Sequence, residues 1–132
     1  MNNIKIISID FDDTIVYTKW PNIIGVRPGA KKYINKLYYD GYKILINTCR
    51  SGIQEDKAIA YLVDKKIMYH QINTNFQHLI DFYKIDCRKM SANMYIDDKN
   101  ILGILPWWIM YWIIRLKIKI KHLEYGEKKA NS

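Results

Sequence analysis

Short apolar runs ending in polar residues alternate along this chain with stretches whose apolar residues recur every three or four positions. Lys5 to Ile9 is a β-branched run closed by Asp10, the pattern of a strand buried on both faces of a parallel sheet. Pro28-Gly29 opens a helical stripe of Ala30, Tyr33, Ile34, Leu37 and Tyr38, which Asp40-Gly41 closes. Tyr42 to Asn47 predicts a second buried strand, with Thr48-Cys49-Arg50-Ser51-Gly52 as the turn after it and a helix from about 54 to 65. Met68 to Ile72 is a weaker third strand, and Phe76, Leu79, Ile80 and Tyr83 mark a further helix. Asn93 to Ile96 predicts a fourth strand, ending at Asp97-Asp98. Strands alternating with helices of about ten residues imply βαβ units with right-handed crossovers. The expected fold class is therefore α/β, a three-layer Rossmann-like parallel sheet with helices on both faces.

The segment after the fourth strand reads two ways. Leu102 to Ile114 is almost wholly apolar, but it is shorter than the roughly 20 residues of a membrane span and contains Pro106. Pro106 suits the first turn of a helix, whose buried face would carry Ile109, Trp112, Ile113, Leu116, Ile120 and Leu123. Arg115 to Lys121 alternates basic and apolar residues with period two, as a strand does. A helix is the expectation, with a strand over 115–123 as its rival.

Composition narrows the class. The 132 residues make one domain, 1–132, with a core over about 1–100, an apolar and basic segment over 101–125 and a polar tail over 126–132. With 49% hydrophobic residues and only six Gly and three Pro, disorder and low-complexity classes drop out. Lys and Arg number 21 against 13 Asp and Glu, a formal charge of +8, which favours anionic partners. Nucleic acid thus stays open as a partner, beside the plainer reading of a solvated surface. Two cysteines, Cys49 and Cys87, and a start that runs straight into a strand without an apolar signal segment suggest a reducing cytoplasm.

The polar residues that could carry chemistry fall at strand ends, where ligands sit in open parallel sheets. Strand one ends in Asp10-Phe11-Asp12-Asp13-Thr14, strand two in Thr48 and strand four in Asp97-Asp98. If these strands are neighbours, four carboxylates and a hydroxyl converge, which is repulsive unless a cation lies among them. Oxygen ligands alone suit Mg²⁺. A calcium loop of the EF-hand type is excluded, because Thr14 and Ile15 occupy its fifth and sixth positions, the latter normally Gly.

Ile-Asp-Phe-Asp-Asp-Thr-Ile over 9–15 resembles the first motif of the haloacid dehalogenase superfamily, a hydrophobic strand followed by D-x-D-x-T. Ile-Leu-Ile-Asn-Thr over 44–48 resembles the second motif, Lys89 stands in the place of the third-motif lysine, and Tyr-Ile-Asp-Asp over 95–98 resembles the fourth. The ordered combination spans residues 4 to 98, and its particular runs look like small, mostly uncharacterised bacterial and phage hydrolases of that superfamily. The resemblance implies Asp10 as nucleophile and Asp12 as general acid and base, with Thr48 and Lys89 holding the phosphoryl group. Asp97 and Asp98 would ligate Mg²⁺ with Asp10 and the Asp12 backbone carbonyl, either Asp97 or Asp98 being the direct carboxylate ligand. Thr14 and Arg50 would contact substrate, with a helix end as the alternative partner of Arg50 and Arg88 as the rival of Lys89.

The implied activity is Mg²⁺-dependent hydrolysis of a phosphomonoester on a small molecule, through an aspartyl-phosphate. A nucleic-acid 3′-phosphatase or nucleotide phosphatase is the nearest alternative, and a non-catalytic scaffold on the same fold the more distant one. Val16 to Arg27 is too short for a cap domain, so the site should be open, with Trp20, Pro21 and Ile24 forming a short flap. The apolar residues between Trp107 and Ile114 exceed what one helix buries, which suggests a homo-oligomer through this segment. Peripheral membrane contact through Lys117, Lys119 and Lys121 is the weaker alternative.

Overall fold

The computed structural model describes residues 5–117. Its centre is a parallel sheet of four strands: β1 (Ile6–Ile9), β4 (Lys43–Ile46), β5 (Gln71–Ile72) and β6 (Met94–Ile96), in the order β5-β4-β1-β6. Between β1 and the first helix lies an antiparallel hairpin, β2 (Val16–Lys19) with β3 (Asn22–Val26). Helices α1 (Ala30–Tyr39), α2 (Ile53–Asp64) and α3 (Gln77–Tyr83) join the sheet strands, and a fourth, α4, covers 107–117.

Alternation along the strands sorts the core into two layers. Ile7, Ile9, Ile44 and Ile46 join Ile34 and Leu37 of α1, Ala58 and Leu62 of α2, and Trp107, Met110, Tyr111 and Ile114 of α4. Ile6 and Leu45 face the other way, with Met90, Phe76 and Leu79 beside α3. Every residue of β1 is buried, which is why its sequence shows no polar alternation. The result is the three-layer Rossmann-like α/β arrangement, helices on both faces, that the hydrophobic pattern implies.

Three elements differ from the sequence expectation. The third strand is only two residues long, because Met68 and Tyr69 lie outside the ladder, and at His70 the backbone amide donates to the Ile44 carbonyl at 2.8 Å while the ring Nδ1, in place of a carbonyl, accepts the Ile44 amide at 3.0 Å. The interval over Val16 to Arg27, expected as a flap, is a paired hairpin. Its strands escape the pattern because only Val16 is fully buried, so Tyr17 to Val26 shows no clear two-residue period.

The third difference is the face of α4. The sequence stripe of Ile109, Trp112, Ile113 and Leu116 is not the buried one; Trp107, Met110, Tyr111 and Ile114 are, while Trp108, Trp112 and Leu116 stay exposed. A polar bond selects this rotation: the Trp107 indole N–H donates to the Thr14 carbonyl at 3.1 Å, and the Tyr111 hydroxyl and Arg115 reach Asp40 at 3.0 and 2.8 Å. Gly29 makes room for it, since a Cβ there would lie 3.3 Å from Trp107 Cβ, at a φ of +80° that side chains other than glycine rarely adopt. Residues 115–117 are helical, and the rest of the 115–123 stretch, with Ile120, Leu123, Lys119 and Lys121, lies outside the described residues. Among the described residues no helix is long and apolar enough to cross a membrane.

Candidate active site

The ladder places the first carboxylate. Asp10 donates its amide to the Ile96 carbonyl at 2.9 Å, which sets it at the carboxyl end of β1 directly beside Asp97 and Asp98 at the end of β6. The chain then turns sharply: the Phe11 carbonyl accepts from the amides of Thr14, Ile15 and Val16, and Asp13 takes a left-handed φ of 58°, which Asp tolerates better than most side chains. This turn swings Thr14 back under the cluster. Its hydroxyl donates to Asp10 Oδ2 at 3.2 Å and accepts from the Asp98 amide at 3.1 Å, so one buried threonine ties the two strand ends together.

Asp10, Asp97 and Asp98 bring one carboxylate oxygen each within 4.8 Å of one another. Octahedral Mg²⁺, with ligands at about 2.0–2.1 Å, sets its ligand oxygens roughly 3 to 4 Å apart, so this hard, all-oxygen donor set fits the ion. The electrostatics point the same way. Burial, the hydrogen bond shared with Asp98 and the charge of Asp97 push the Asp10 carboxyl up to about 8, against a smaller opposing pull from Thr14. Burial works against the Asp98 charge too, but the hydrogen bond from Asp10 and the Lys99 ammonium hold Asp98 below its ordinary value. The two carboxyls share one proton, as close like charges must when no cation replaces it.

A pH dependence of stability follows. Between about 4 and 8 the folded, metal-free protein holds a proton on Asp10 that the unfolded chain has released, so stability falls as pH rises through that window. His70, lowered from 6.5 by burial and Lys43, works in the opposite sense only below about 6.5, and the depressed Asp98 and Asp86 act only below about 4. Melting temperature in EDTA should therefore decline from pH 7 to 8 and rise on adding Mg²⁺, more at pH 8 than at pH 6. A flat EDTA profile that Asp10→Asn leaves unchanged would remove the shared proton from the account.

The remaining expected residues divide. Asp12 does not join the cluster: its carboxylate accepts from Arg50 Nε at 2.9 Å and Nη2 at 2.7 Å, and from the Thr18 hydroxyl at 2.7 Å. Arg50 accordingly binds neither a helix end nor an open anion site. Its guanidinium is wholly buried, with Nη2 also donating to the Pro21 carbonyl at 3.0 Å and the Trp20 ring 4.8 Å away, so it fastens the hairpin to the loop. Thr48 is buried at the end of β4, where its hydroxyl accepts the Arg50 amide at 3.1 Å and its own amide donates to Asn73 Oδ1 at 2.8 Å.

Lys89 is a correction. It is exposed, with Nζ 5.2 Å from the centre of the Tyr95 ring, and it has no ion pair or hydrogen bond with any of the four aspartates. The Tyr95 hydroxyl donates to the Met90 carbonyl at 2.6 Å, which draws the 89–90 turn toward mid-strand and away from the carboxyl ends. Arg88 is exposed as well. The cation that does meet the cluster is Lys99, 3.7 Å from Asp98 and largely exposed, next in sequence to the fourth motif. Asn73 also went unforeseen: it accepts from Thr48, donates to the Arg50 carbonyl at 3.2 Å and to Glu55 at 3.2 Å, and so braces the loop after β4. Cys49 is free and exposed, Cys87 free and half-buried.

No protein-family model matches the chain, and no curated protein matches it. A solved structure, that of a conserved protein coded by a locus from Bacteroides thetaiotaomicron, is 29% identical, covers 87% of this chain and 93% of its own, and superposes with a TM-score of 0.78. The two chains share one fold. The likeness extends over most of both chains, and that protein is described as conserved, with no activity assigned to it.

Proposed function

We propose that the protein is a Mg²⁺-dependent phosphohydrolase acting on a phosphomonoester, with Asp10 as its nucleophile. One observation carries the reading: a half-buried carboxylate at the end of a central strand, set against two others at the end of the adjacent strand and held largely protonated at neutral pH unless a cation joins them. A binding scaffold gains nothing from such a repulsive cluster, whereas phosphoryl transfer needs both a nucleophile and compensation of charge.

In this reading Asp97, Asp98 and Asp10 hold the ion, which when bound neutralises charge on the incoming phosphoryl group. Thr14 keeps one Asp10 oxygen engaged and leaves the other to attack phosphorus, forming an aspartyl-phosphate as the ester oxygen departs. Thr48, at the end of the neighbouring strand, is the hydroxyl for a phosphoryl oxygen. Asp12 protonates the leaving oxygen and later takes a proton from the hydrolytic water. To do so it must part from the Thr18 hydroxyl or from one arm of Arg50, so the hairpin to which Arg50 is tied moves with the acid. Lys99 supplies the positive charge that the sequence pattern assigns to Lys89.

The test is release of inorganic phosphate from an aryl phosphate and a panel of phosphorylated metabolites. Activity should vanish in EDTA and return with Mg²⁺. A folded, Mg²⁺-replete protein that hydrolyses none of them, aryl phosphate included, would leave the scaffold reading standing. A homo-oligomer through the exposed Trp108, Trp112 and Leu116 of α4 belongs to the same proposal, as the way an uncapped site gains a neighbour.

A further inference from the structure

The outer face built by α1 and α2 has a character unlike that of the carboxylate site. A cleft of about 680 Å³ there is lined by Arg27, Lys31, Lys32, Lys65 and Lys66 against one acidic residue, Asp64. Five cations to one carboxylate is a local excess of four, in a chain whose whole formal excess is eight. Of these five cations only Lys65 is engaged in an ion pair among the described residues, with Asp64 at 3.7 Å, where partial exposure makes it weak.

Aromatic rings mark both ends. A second cleft of about 650 Å³ shares Lys31, Asn35 and Lys66 with the first and continues it to Tyr39 and Tyr69. Tyr39 is 73% exposed, and its ring meets the edge of Tyr38. At the other end the Arg27 guanidinium lies 5.0 Å from the centre of the Tyr17 ring, itself 43% exposed on the hairpin, and its Nη1 reaches the Asp13 carbonyl at 3.4 Å. The basic groove thus begins one residue from Asp12 and runs along α1, about 15 Å for ten residues, to an exposed ring.

We propose that this groove docks single-stranded nucleic acid, with its lysines and Arg27 on the phosphates and Tyr17 and Tyr39 offering faces to the bases. A run of cations flanked by rings fits a chain that carries both phosphates and flat bases; an acidic peptide has no use for the rings, and a duplex hides its base faces. The groove does not depend on the phosphohydrolase reading, although its position would bring a strand's end toward the carboxylates.

Binding of a fluorescent mixed-sequence strand of about 12 nucleotides, followed by anisotropy in EDTA, tests the proposal apart from any hydrolysis. Five phosphate contacts on a single strand give a slope of log affinity against log salt near −3.5, about a hundredfold loss between 50 and 200 mM. Lys31→Gln with Lys66→Gln should flatten the slope by about 1.4. Tyr39→Ala should weaken binding about tenfold and leave the slope as it was. Neither change touches the carboxylates, so hydrolysis of a small aryl phosphate is unaffected. Absence of saturable binding at 50 mM salt, a slope indifferent to the lysine pair, or equal competition by a poly-glutamate peptide or by duplex of the same length would each overturn the proposal.

Discussion

Asp10→Asn abolishes turnover of an aryl phosphate, by about three orders of magnitude or more, while the metal-free protein becomes more stable at pH 8 rather than less. The amide keeps the shape of the carboxyl and can still accept from the Thr14 hydroxyl that now reaches Oδ2 at 3.2 Å. It cannot attack phosphorus, and it brings no charge to a half-buried place beside Asp97 and Asp98. The carboxyl it replaces is pushed up to about 8 by burial, by its hydrogen bond with Asp98 and by the charge of Asp97, so at pH 8 the wild-type fold bears strain that the variant lacks. Opposite signs for activity and stability separate a reacting group from a structural one. Turnover at wild-type level in the folded variant would exclude covalent catalysis at Asp10, and a lower melting temperature at pH 8 would show that the carboxylate cluster is not repulsive.

Trp107→Ala should cost about 3–5 kcal/mol, a large share of the roughly 5–15 kcal/mol that holds a domain together. Trp107 is 2% exposed, the largest fully buried side chain among the described residues, and it belongs to the main core with Phe11, Ile15 and Ala30. Truncation leaves a cavity and also orphans the Thr14 carbonyl, which accepts the indole N–H at 3.1 Å. Trp107→Phe restores most of the volume but not the donor, so the difference between the two variants reports the cavity, and the difference between wild type and Trp107→Phe reports mainly the hydrogen bond. Chemical denaturation of the three proteins checks it. If Trp107→Ala shifts stability by less than 1 kcal/mol, α4 is not part of the core that positions the Asp10 loop.

The fold was legible where burial is two-sided. Ile6–Ile9 and Lys43–Ile46 are read directly because no charged residue stands inside them and Ser8 is small enough to be buried with its neighbours, and the stripe of Ala30, Ile34 and Leu37 is the one α1 buries. The hairpin was not, since a ribbon exposed on one side and held through Arg50 carries its reason in a residue some thirty positions away. The face of α4 misleads for a related cause: hydrophobic spacing favours Trp112 over Trp107, and the partners that turn Trp107 inward, the Thr14 carbonyl for its indole and Asp40 for Tyr111 and Arg115, lie far away in sequence. At the candidate site, Asp10, Asp97 and Asp98 could be named from their strand-end positions, because the backbone ladder alone brings them together. Asp12, Arg50 and Lys89 could not be placed, since their side chains are long or mobile in χ and answer to partners rather than to the ladder. Thr18 takes one Asp12 oxygen, Asp12 takes the guanidinium, and Tyr95 draws Lys89 aside.

The clamp between Trp107 and the Thr14 carbonyl spans 93 positions of chain. During synthesis at roughly 5–20 residues per second, the acidic loop emerges about five to twenty seconds before the indole that fixes it. Until then Asp10 also lacks its neighbours Asp97 and Asp98, so the carboxylates meet, and the loop that carries Asp10 is fixed, only after β6 and α4 have both been made.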